Sequence, residues 1–199
     1  FIFMNKIDTI LASNSPRRKK ILSQIGIRFK IISSLVNEHS NLNCSPNRFA
    51  EYWSIEKTKK VSGIFKDHIT IGADTIVCID NEILGKPKNK KDSIKMLKKL
   101  SGNTHKVITG VSIACYKENI FKTFSETTEV VVRNISNDQI NYYVNNFKTL
   151  DKAGSYGIQD FFSVWIKKIN GCYYNVMGLP VSKFYYNYNL IKNKIFSKK

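Results

Sequence analysis

The sequence predicts an α/β fold in which helices flank a mixed, twisted central sheet and two lobes border a cleft. Polar residues at Asp80-Asn81 and at 117–119 each separate two strand-like runs, which indicates hairpins and argues against an all-parallel sheet. With 199 residues and a hydrophobic share of 42%, the chain suits a single core. We expect residues 1–199 to form one domain, with 1–6 and about 192–199 at its periphery.

The first half of the chain is predicted to alternate strands and helices. Ser13 and Ser15 are candidate N-caps, Pro16 suits a first helical turn, and Gly26 suits a helix end. Ser45 marks the start of a second helix in the same way. The expected order is a strand over 7–12, a helix from 16 to about 25, a strand over 28–34, a polar irregular stretch over 35–45 and a helix from 46 to 63.

The second half is predicted to consist mainly of strands joined by tight turns. Ser136 and Gln139 fit a capping box, and Asn170-Gly171 fits a two-residue hairpin turn. The expected order is a strand over 69–79 interrupted at 72–74, a strand over 82–84, a helix over 91–100, a hairpin of 106–116 with 120–133, a helix from 136 to about 145, a second hairpin of 162–169 with 172–175, and a helix from 180.

The net charge of +17 is the strongest bulk signal, and it has two interpretations. A basic surface attracts nucleic acid. The lysines, however, are mixed with asparagine and isoleucine along the whole chain, as in 86–91, and form no basic stripe interleaved with aromatic residues. We therefore favour a lysine-rich composition over a nucleic-acid interface, and we expect no specific nucleic-acid partner.

The cysteine, histidine and apolar patterns argue against several other classes of protein. No two cysteines form a C-x-x-C pair and the histidines are far apart, so no zinc-type spacing is present. No apolar run reaches the roughly 20 residues that span a bilayer. We expect reduced thiols, no membrane partner and a cytoplasmic location. The residues concerned are Cys44, Cys78, Cys115 and Cys172, with His39, His68 and His105.

The segment 13–18, Ser-Asn-Ser-Pro-Arg-Arg, joins a predicted strand to a predicted helix. Unpaired backbone amides and the helix dipole favour an anion at such a helix start, and arginine pairs bidentately with phosphate. An ordinary capped helix with two solvated arginines is the alternative. The position at a strand end favours the anion site, because ligands of α/β proteins gather there.

Two further segments carry polar groups in unusual surroundings. Asp74 lies in an apolar strand, where a carboxylate needs a partner because its desolvation is costly. It is either a metal ligand or base that orients water, or a turn aspartate bonded to the backbone. The loop 151–159, Asp-Lys-Ala-Gly-Ser-Tyr-Gly-Ile-Gln, has two glycines that let a backbone approach a ligand closely. On its own this loop is typical of a surface loop.

Taken together and in this order, the segments resemble the Maf family of nucleoside triphosphate pyrophosphatases. The resemblance runs from about Ile7 to Pro180, and the loop 151–159 is similar to that of the branch that acts on dTTP and UTP. Its motifs are 10–18, 71–75, 84–87, 100–102, 151–159 and the segment 176–180, Val-Met-Gly-Leu-Pro.

The resemblance implies two lobes around a cleft, as in Maf and ITPase-like proteins, and often a homodimer. It implies hydrolysis of dTTP and UTP to the monophosphate and pyrophosphate, with a divalent metal, Mg²⁺ or Mn²⁺. Water would attack the α-phosphorus, activated by Asp74 or by the metal. Positioning and electrostatics would supply most of the acceleration.

The resemblance also implies the roles of individual residues. Asp74 matches the proton acceptor of the family, and Arg17, Thr75 and Gln159 match positions associated with substrate choice. Asp160 stands where the family usually has glycine, and 161–163 is bulkier than the family pattern. The expected catalytic residues are Asp74, Lys57 and Glu38, the expected substrate-binding residues are Ser13, Arg17, Arg18, Thr75, Lys86 and Gln159, and the expected metal ligands are Glu38 and Asp74.

An alternative of another class is a regulator of cell division or septum formation that binds nucleotide or nucleic acid without significant turnover. The net charge of +17 and the family's association with septum formation motivate it. A pure binder has no need for a metal-and-base set, so Asp74 with Glu38 and Lys57 discriminates between the two hypotheses.

Overall fold

The computed structural model describes residues 8–37 and 42–197, which form a seven-stranded sheet and six α-helices. The strands are β1 Thr9–Leu11, β2 Lys30–Ile31, β3 Ile69–Ile79, β4 Glu82–Leu84, β5 Thr104–Cys115, β6 Ile120–Val132 and β7 Ile166–Asn170. The helices are α1 Pro16–Gln24, α2 Pro46–Ser62, α3 Lys90–Leu100, α4 Asn137–Asn146, α5 Tyr173–Met177 and α6 Val181–Phe196, and two short 3₁₀ turns span Ala153–Ser155 and Phe161–Trp165.

The sheet is mixed, with strand order β2-β1-β3-β5-β6-β7 and with β4 beside β3. The pairs β1–β2 and β1–β3 are parallel, whereas β3–β4, β3–β5, β5–β6 and β6–β7 are antiparallel. The predicted α/β fold with a mixed sheet is therefore confirmed. No helix in the described part of the chain is long and apolar enough to cross a membrane.

Local sequence signals start and end most of these elements. Ser15, Ser45 and Asn89 each accept a hydrogen bond from a backbone N–H in the first turn of the helix that follows. Ser136 and Gln139 form the predicted capping box at the start of α4. Both central residues of the β3–β4 hairpin, at 80 and 81, have positive φ, as its tight turn requires.

Alternate residues of β3 face different layers of the protein. Ile76 and Cys78 pack against Ala50 of α2 on one face of the sheet. On the other face, Ile71 belongs to a cluster with α1 and α6, whereas Val77 belongs to a cluster with α3 and α4. β3 is thus buried on both faces. On the face away from α2, its side chains pack into two separate hydrophobic clusters.

The predicted interruption of β3 at 72–74 is wrong. Gly72, Ala73 and Asp74 pair in regular antiparallel register with Ser112, Val111 and Gly110 of β5. Gly72 and Gly110 of β5 serve helix packing instead of breaking their strands. A Cβ at Gly110 would lie 2.3 Å from the Ala50 carbonyl oxygen of α2. The small residues therefore let a helix backbone approach the sheet.

The predicted second hairpin is also wrong, and the predicted strand over 28–34 is shortened to β2. Residues Phe161–Trp165 form a 3₁₀ turn capped by the Asp160 side chain, and Tyr173–Met177 form a helix that ends at Gly178 with φ of 113°. β7 pairs with β6 rather than with the segment that follows it. The aromatic and β-branched residues of 161–166 are typical of a strand, but tertiary packing and the Asp160 cap prevail.

Candidate active site

The candidate site lies along the edge of β3 away from β5, where no strand of the described residues pairs with 72–76. The chain leaves β1 after Leu11, opposite Ile71, and leaves β4 after Leu84, opposite Val77. The stretch 72–76 of β3 lies between these two exit points. The segment 13–18 therefore follows β1 towards this gap, and the segment 85–87 follows β4 towards it from the other end.

Asp74 faces α2 and pairs with Lys57. Lys57 Nζ donates to Asp74 Oδ1 over 2.7 Å, and the exposed fractions of the two side chains are 10% and 9%. Gly110 lies directly opposite Asp74 on β5 and brings α2 close to the sheet. The close packing at Gly110 thus keeps α2 near enough to the sheet for Lys57 to reach the Asp74 carboxylate. The opposite charge offsets the cost of burying Asp74.

Thr75 faces the opposite side of the sheet, as expected for the next residue of a strand. Its hydroxyl accepts a hydrogen bond from Arg18 Nη2 over 2.8 Å and lies 3.0 Å from Thr109 Oγ1. Thr109 in turn donates to the Asn175 carbonyl oxygen over 3.0 Å. The two adjacent candidates Asp74 and Thr75 are therefore placed in different surroundings.

Arg18 is a buried connection between three segments. Its Nε donates to the Gly178 carbonyl oxygen over 2.8 Å, its Nη1 to Ser13 Oγ over 3.1 Å and its Nη2 to Thr75. The residue is 7% exposed. The segments 13–18, 71–75 and 176–180 are thus joined by one guanidinium group, whose planar donor array suits several acceptors at once.

Arg17 points instead to the loop 151–159. Its Nη1 lies 3.3 Å from Asp151 Oδ2, and Lys152 Nζ lies 2.9 Å from Asp151 Oδ1. Desolvation would raise the pKa of Asp151, but the hydrogen bonds and charges of Lys152 and Arg17 outweigh it and lower that pKa below its usual value. The start of α1 and the loop are therefore linked by ion pairs.

The loop is also anchored to the strand that carries Asp74. Gly154 N–H donates to the Gly85 carbonyl oxygen over 3.1 Å, and Gly154 has φ of 64°. A Cβ on Gly154 would lie 2.9 Å from the Val77 side chain. Glycine is required here both for the left-handed conformation and for the close approach to β3.

Two expected site residues lie outside these contacts, and a third is not among the described residues. Lys86 and Gln159 are exposed, and neither side chain bonds to another part of the described chain. Both are therefore open to a ligand. Glu38, expected to act in catalysis and to hold a metal, lies outside the described residues.

Three residues of the site region carry no sequence signal that singles them out. Tyr143 of α4 bonds to Gly157 and Asp160 at the loop, whereas Thr109 and Asn175 bond to each other below Thr75. Tyr143 has the apolar spacing of an ordinary core residue. Asn175 lies in a segment predicted to be a strand. Their roles depend on contacts far apart in sequence, which periodicity cannot indicate.

Comparisons with known proteins identify relatives that match most of the chain. The dTTP/UTP pyrophosphatase of Thermosipho africanus is 46% identical over 174 residues, which cover 87% of this chain and 88% of the relative. The dTTP/UTP pyrophosphatase of Bacillus anthracis is 45% identical over 180 residues, which cover 90% and 92%.

Among solved structures, the Staphylococcus aureus Ham1 protein matches with a TM-score of 0.46 and 16% identity over 63% of this chain and 71% of that chain, a similarity too weak for further inference. The family model described as Maf-like protein matches residues 8–189. This match covers most of the chain and includes every segment of the candidate site described above. The chain therefore belongs to the Maf family.

Proposed function

We propose that this protein is a nucleoside triphosphate pyrophosphatase that hydrolyses dTTP and UTP to the monophosphate and pyrophosphate. The observation that carries the proposal is the buried pair of Lys57 and Asp74 at the gap in the sheet edge. Relatives that are 46% and 45% identical over most of their length and are named dTTP/UTP pyrophosphatase support it.

In the proposed complex, the triphosphate lies between the start of α1 and Lys86. The helix start offers a positive dipole end, and Arg17 and Lys86 offer side-chain cations. Arg18 keeps the Ser13 turn and Thr75 in place, because its donors already bond to internal acceptors. We therefore assign Arg18 a positioning role and Arg17 a direct role in phosphate binding.

In the proposed reaction, a water oxygen attacks the α-phosphorus and the bond to the α,β-bridging oxygen breaks. Asp74 Oδ2 takes a proton from the water, since Oδ1 is already bonded to Lys57. The bridging oxygen leaves with pyrophosphate, and the attacking oxygen stays on the monophosphate. The proton on Asp74 then returns to solvent, which restores the carboxylate.

The cofactor that we propose is a divalent cation, Mg²⁺ or Mn²⁺. The described part of the chain contains no group of three or more His, Cys, Asp or Glu side chains that could hold a metal alone. Mg²⁺ in nucleotide enzymes is commonly held by one or two carboxylates together with substrate phosphates and water. Asp74 and Glu38 would be those carboxylates. A bound cation supplies neutralisation of the phosphate charge.

Base selection is proposed to depend on Gln159 and on the loop that carries it. The Gln159 amide offers one donor and one acceptor, which complement O4 and N3–H of uracil and thymine. Cytosine presents the reversed pattern. A mismatched base would leave a buried polar group without a partner, which costs about 1–3 kcal/mol.

The experiment that tests the function is a panel of nucleoside triphosphates incubated with purified protein and Mg²⁺, with the products identified. We expect UMP from UTP and dTMP from dTTP, each with one pyrophosphate, and we expect EDTA to abolish both. The appearance of diphosphate and orthophosphate instead would reject attack at the α-phosphorus. Binding of nucleotide without any product would favour the regulatory alternative.

A further inference from the structure

Gln159 lies at the tip of a tight turn over residues 157–160. Asp160 N–H donates to the Gly157 carbonyl oxygen over 3.3 Å, which closes the turn. Ile158 is 7% exposed and packs into the core, whereas Gln159 is exposed. The turn therefore buries one central side chain and presents the other to a ligand.

One hydroxyl group joins both ends of this turn. Tyr143 Oη accepts a hydrogen bond from Gly157 N–H over 3.2 Å and donates to Asp160 Oδ1 over 2.8 Å. Burial, and the negative charge of Asp160 next, raise the pKa of Tyr143, so the hydroxyl keeps its proton at neutral pH and remains a donor. Both of its bonds thus act on the segment that carries Gln159.

The Tyr143 ring is held rigidly, so the hydroxyl has a defined position. The residue has 0% exposure, and its ring stacks on Phe147 with centroids 5.2 Å apart. Phe162 and Trp165 contact it at centroid distances of 5.5 Å and 5.9 Å. Helix α4 and this aromatic cluster therefore form a fixed support beneath the turn.

The Asp160 carboxylate is turned inward, towards the protein. Oδ1 also accepts from Phe162 N–H over 3.1 Å, and Oδ2 lies 3.8 Å from Lys152 Nζ. A Cβ at Gly157 would lie 2.5 Å from Asp160 Oδ2, so the carboxylate packs directly against the glycine. Asp160 is thus engaged by the turn and its supports through Tyr143, Phe162 and Lys152.

Lys152 also connects the turn to the side of the site that is proposed to bind phosphate. Lys152 Nζ bonds to Asp151, and Asp151 pairs with Arg17 at the start of α1. The turn that presents Gln159 is therefore connected by charged groups to the helix end that is proposed to bind phosphate.

We propose that Tyr143 and Asp160 are positioning residues that determine base selectivity by fixing the turn from which Gln159 reads the base. This inference rests on the function proposed above. Neither residue touches the nucleotide. Each acts through the Gly157 amide or the turn backbone, and loss of either widens the range of orientations that the Gln159 amide adopts.

The first test compares Tyr143→Phe with a matched control, Tyr188→Phe. Both tyrosines are buried, and Tyr188 Oη lies 2.8 Å from Thr9 Oγ1, in a different cluster. We expect Tyr143→Phe to lower the ratio of kcat/KM for UTP to kcat/KM for CTP by about two- to tenfold, the range expected for one lost hydrogen bond. We expect KM for UTP to rise more than kcat falls, and Tyr188→Phe to leave the ratio unchanged.

The second test uses Asp160→Ala and the double variant with Tyr143→Phe. Because both changes act through one set of bonds, their effects on the ratio should be less than multiplicative. Hydrogen exchange of amides 156–161 should be faster in Tyr143→Phe than in the wild type or in Tyr188→Phe. An unchanged ratio in Tyr143→Phe, or a wild-type ratio near one, overturns the inference while the function stands.

Failure of the proposed function would be visible separately. A wild-type protein that turns over none of the nucleotides contradicts the function, and the exchange comparison then still decides whether the hydroxyl holds the turn. Unchanged exchange in Tyr143→Phe overturns the positioning role irrespective of activity.

Discussion

Lys57 Nζ of helix α2 lies 2.7 Å from Asp74 Oδ1 of strand β3, and both side chains are about nine-tenths buried, with exposed fractions of 10% and 9%. A buried carboxylate is costly without a partner, and a buried ammonium is costly for the same reason. The pair is therefore tolerated as a unit, and removal of one member has consequences for the other. This coupling makes separate predictions for catalysis and for stability.

Asp74→Asn removes the charge of the proposed base while preserving its shape. We expect kcat for UTP to fall by about 10²–10⁴-fold, the usual contribution of a general base. Binding of the nucleotide should weaken much less, because Arg17 and Lys86 are unchanged. Steady-state kinetics together with titration of UTP binding measure both quantities.

The matched control for this change is Asp67→Asn. Asp67 is a surface carboxylate whose side chain is 71% exposed and which pairs with His68. We expect wild-type kcat from this variant. Near-normal turnover of Asp74→Asn would show that Asp74 is structural and that the proposed reaction is wrong.

Lys57→Met keeps the aliphatic length of the side chain but leaves Asp74 buried without its ammonium partner. Breaking a buried ion pair from one side costs about 3–5 kcal/mol. We expect the free energy of unfolding, measured in urea, to decrease by about that amount. Lys59→Met, two residues along α2 and with 63% of its side chain exposed, should change it by less than about 0.5 kcal/mol. Equal effects of the two substitutions would contradict the importance of the pair.

Gly110→Ala tests the close approach of α2 to the sheet. The added Cβ would lie 2.3 Å from the Ala50 carbonyl oxygen, which is backbone and cannot rotate away. We expect a loss of about 1–3 kcal/mol in the free energy of unfolding, and lower activity as α2 shifts. Gly85→Ala is the control, since a Cβ there meets nothing within 4 Å. A Tm of Gly110→Ala equal to that of the control would refute the packing argument.

The sequence predicted elements whose signals are local. Ser136 and Gln139 cap α4, and the turn at Asp80-Asn81 closes the β3–β4 hairpin, because each bond involves residues within a few positions. The continuous course of β3 through Gly72 was not predicted. Glycine breaks isolated strands, but here it makes room for α2, and that contact is between segments distant in sequence.

In the candidate site, too, some features could be predicted from the sequence and others depend on the tertiary structure. The order of the motifs predicted that the segments 13–18 and 71–75 belong to one site, and Arg18 does bond to Ser13 and Thr75. The sequence did not indicate that Arg18 is internal whereas Arg17 points to Asp151. Arg17 and Arg18 are chemically identical neighbours at a helix start, and only the direction in which each side chain points differs. That direction depends on the tertiary structure.

His105 predicts a dependence of stability on pH. It is 1% exposed, and its Nε2 lies 2.7 Å from Tyr156 Oη. Burial disfavours the imidazolium and lowers the pKa of His105 from 6.5 to about 4. Between these values the unfolded chain binds the proton and the folded chain does not. Stability should therefore fall as the pH is lowered from about 6.5 towards 4, by on the order of 2–3 kcal/mol from this group.

The measurement is the free energy of unfolding in urea at several pH values between 7 and 4. His105→Gln can still bond to the Tyr156 hydroxyl but does not titrate. We expect a flatter dependence on pH in this variant, whatever its stability at pH 7. Parallel curves for the variant and the wild type would show that His105 does not control the acid response.

Gln159→Ala tests recognition of the base. Gln159 is exposed at the tip of the turn 157–160, where its amide is open to a ligand. In the wild type we expect kcat/KM to be higher for UTP and dTTP than for CTP and dCTP, by the roughly 1–3 kcal/mol that a buried unpaired polar group costs. The substitution should bring the two values together mainly through a rise in KM for UTP, because the proposed phosphate contacts and Asp74 are unchanged. Gln24→Ala, at another exposed glutamine near the end of α1, should preserve the wild-type ratio. A ratio that Gln159→Ala leaves untouched would remove this residue from base selection and transfer that role to the backbone of the loop.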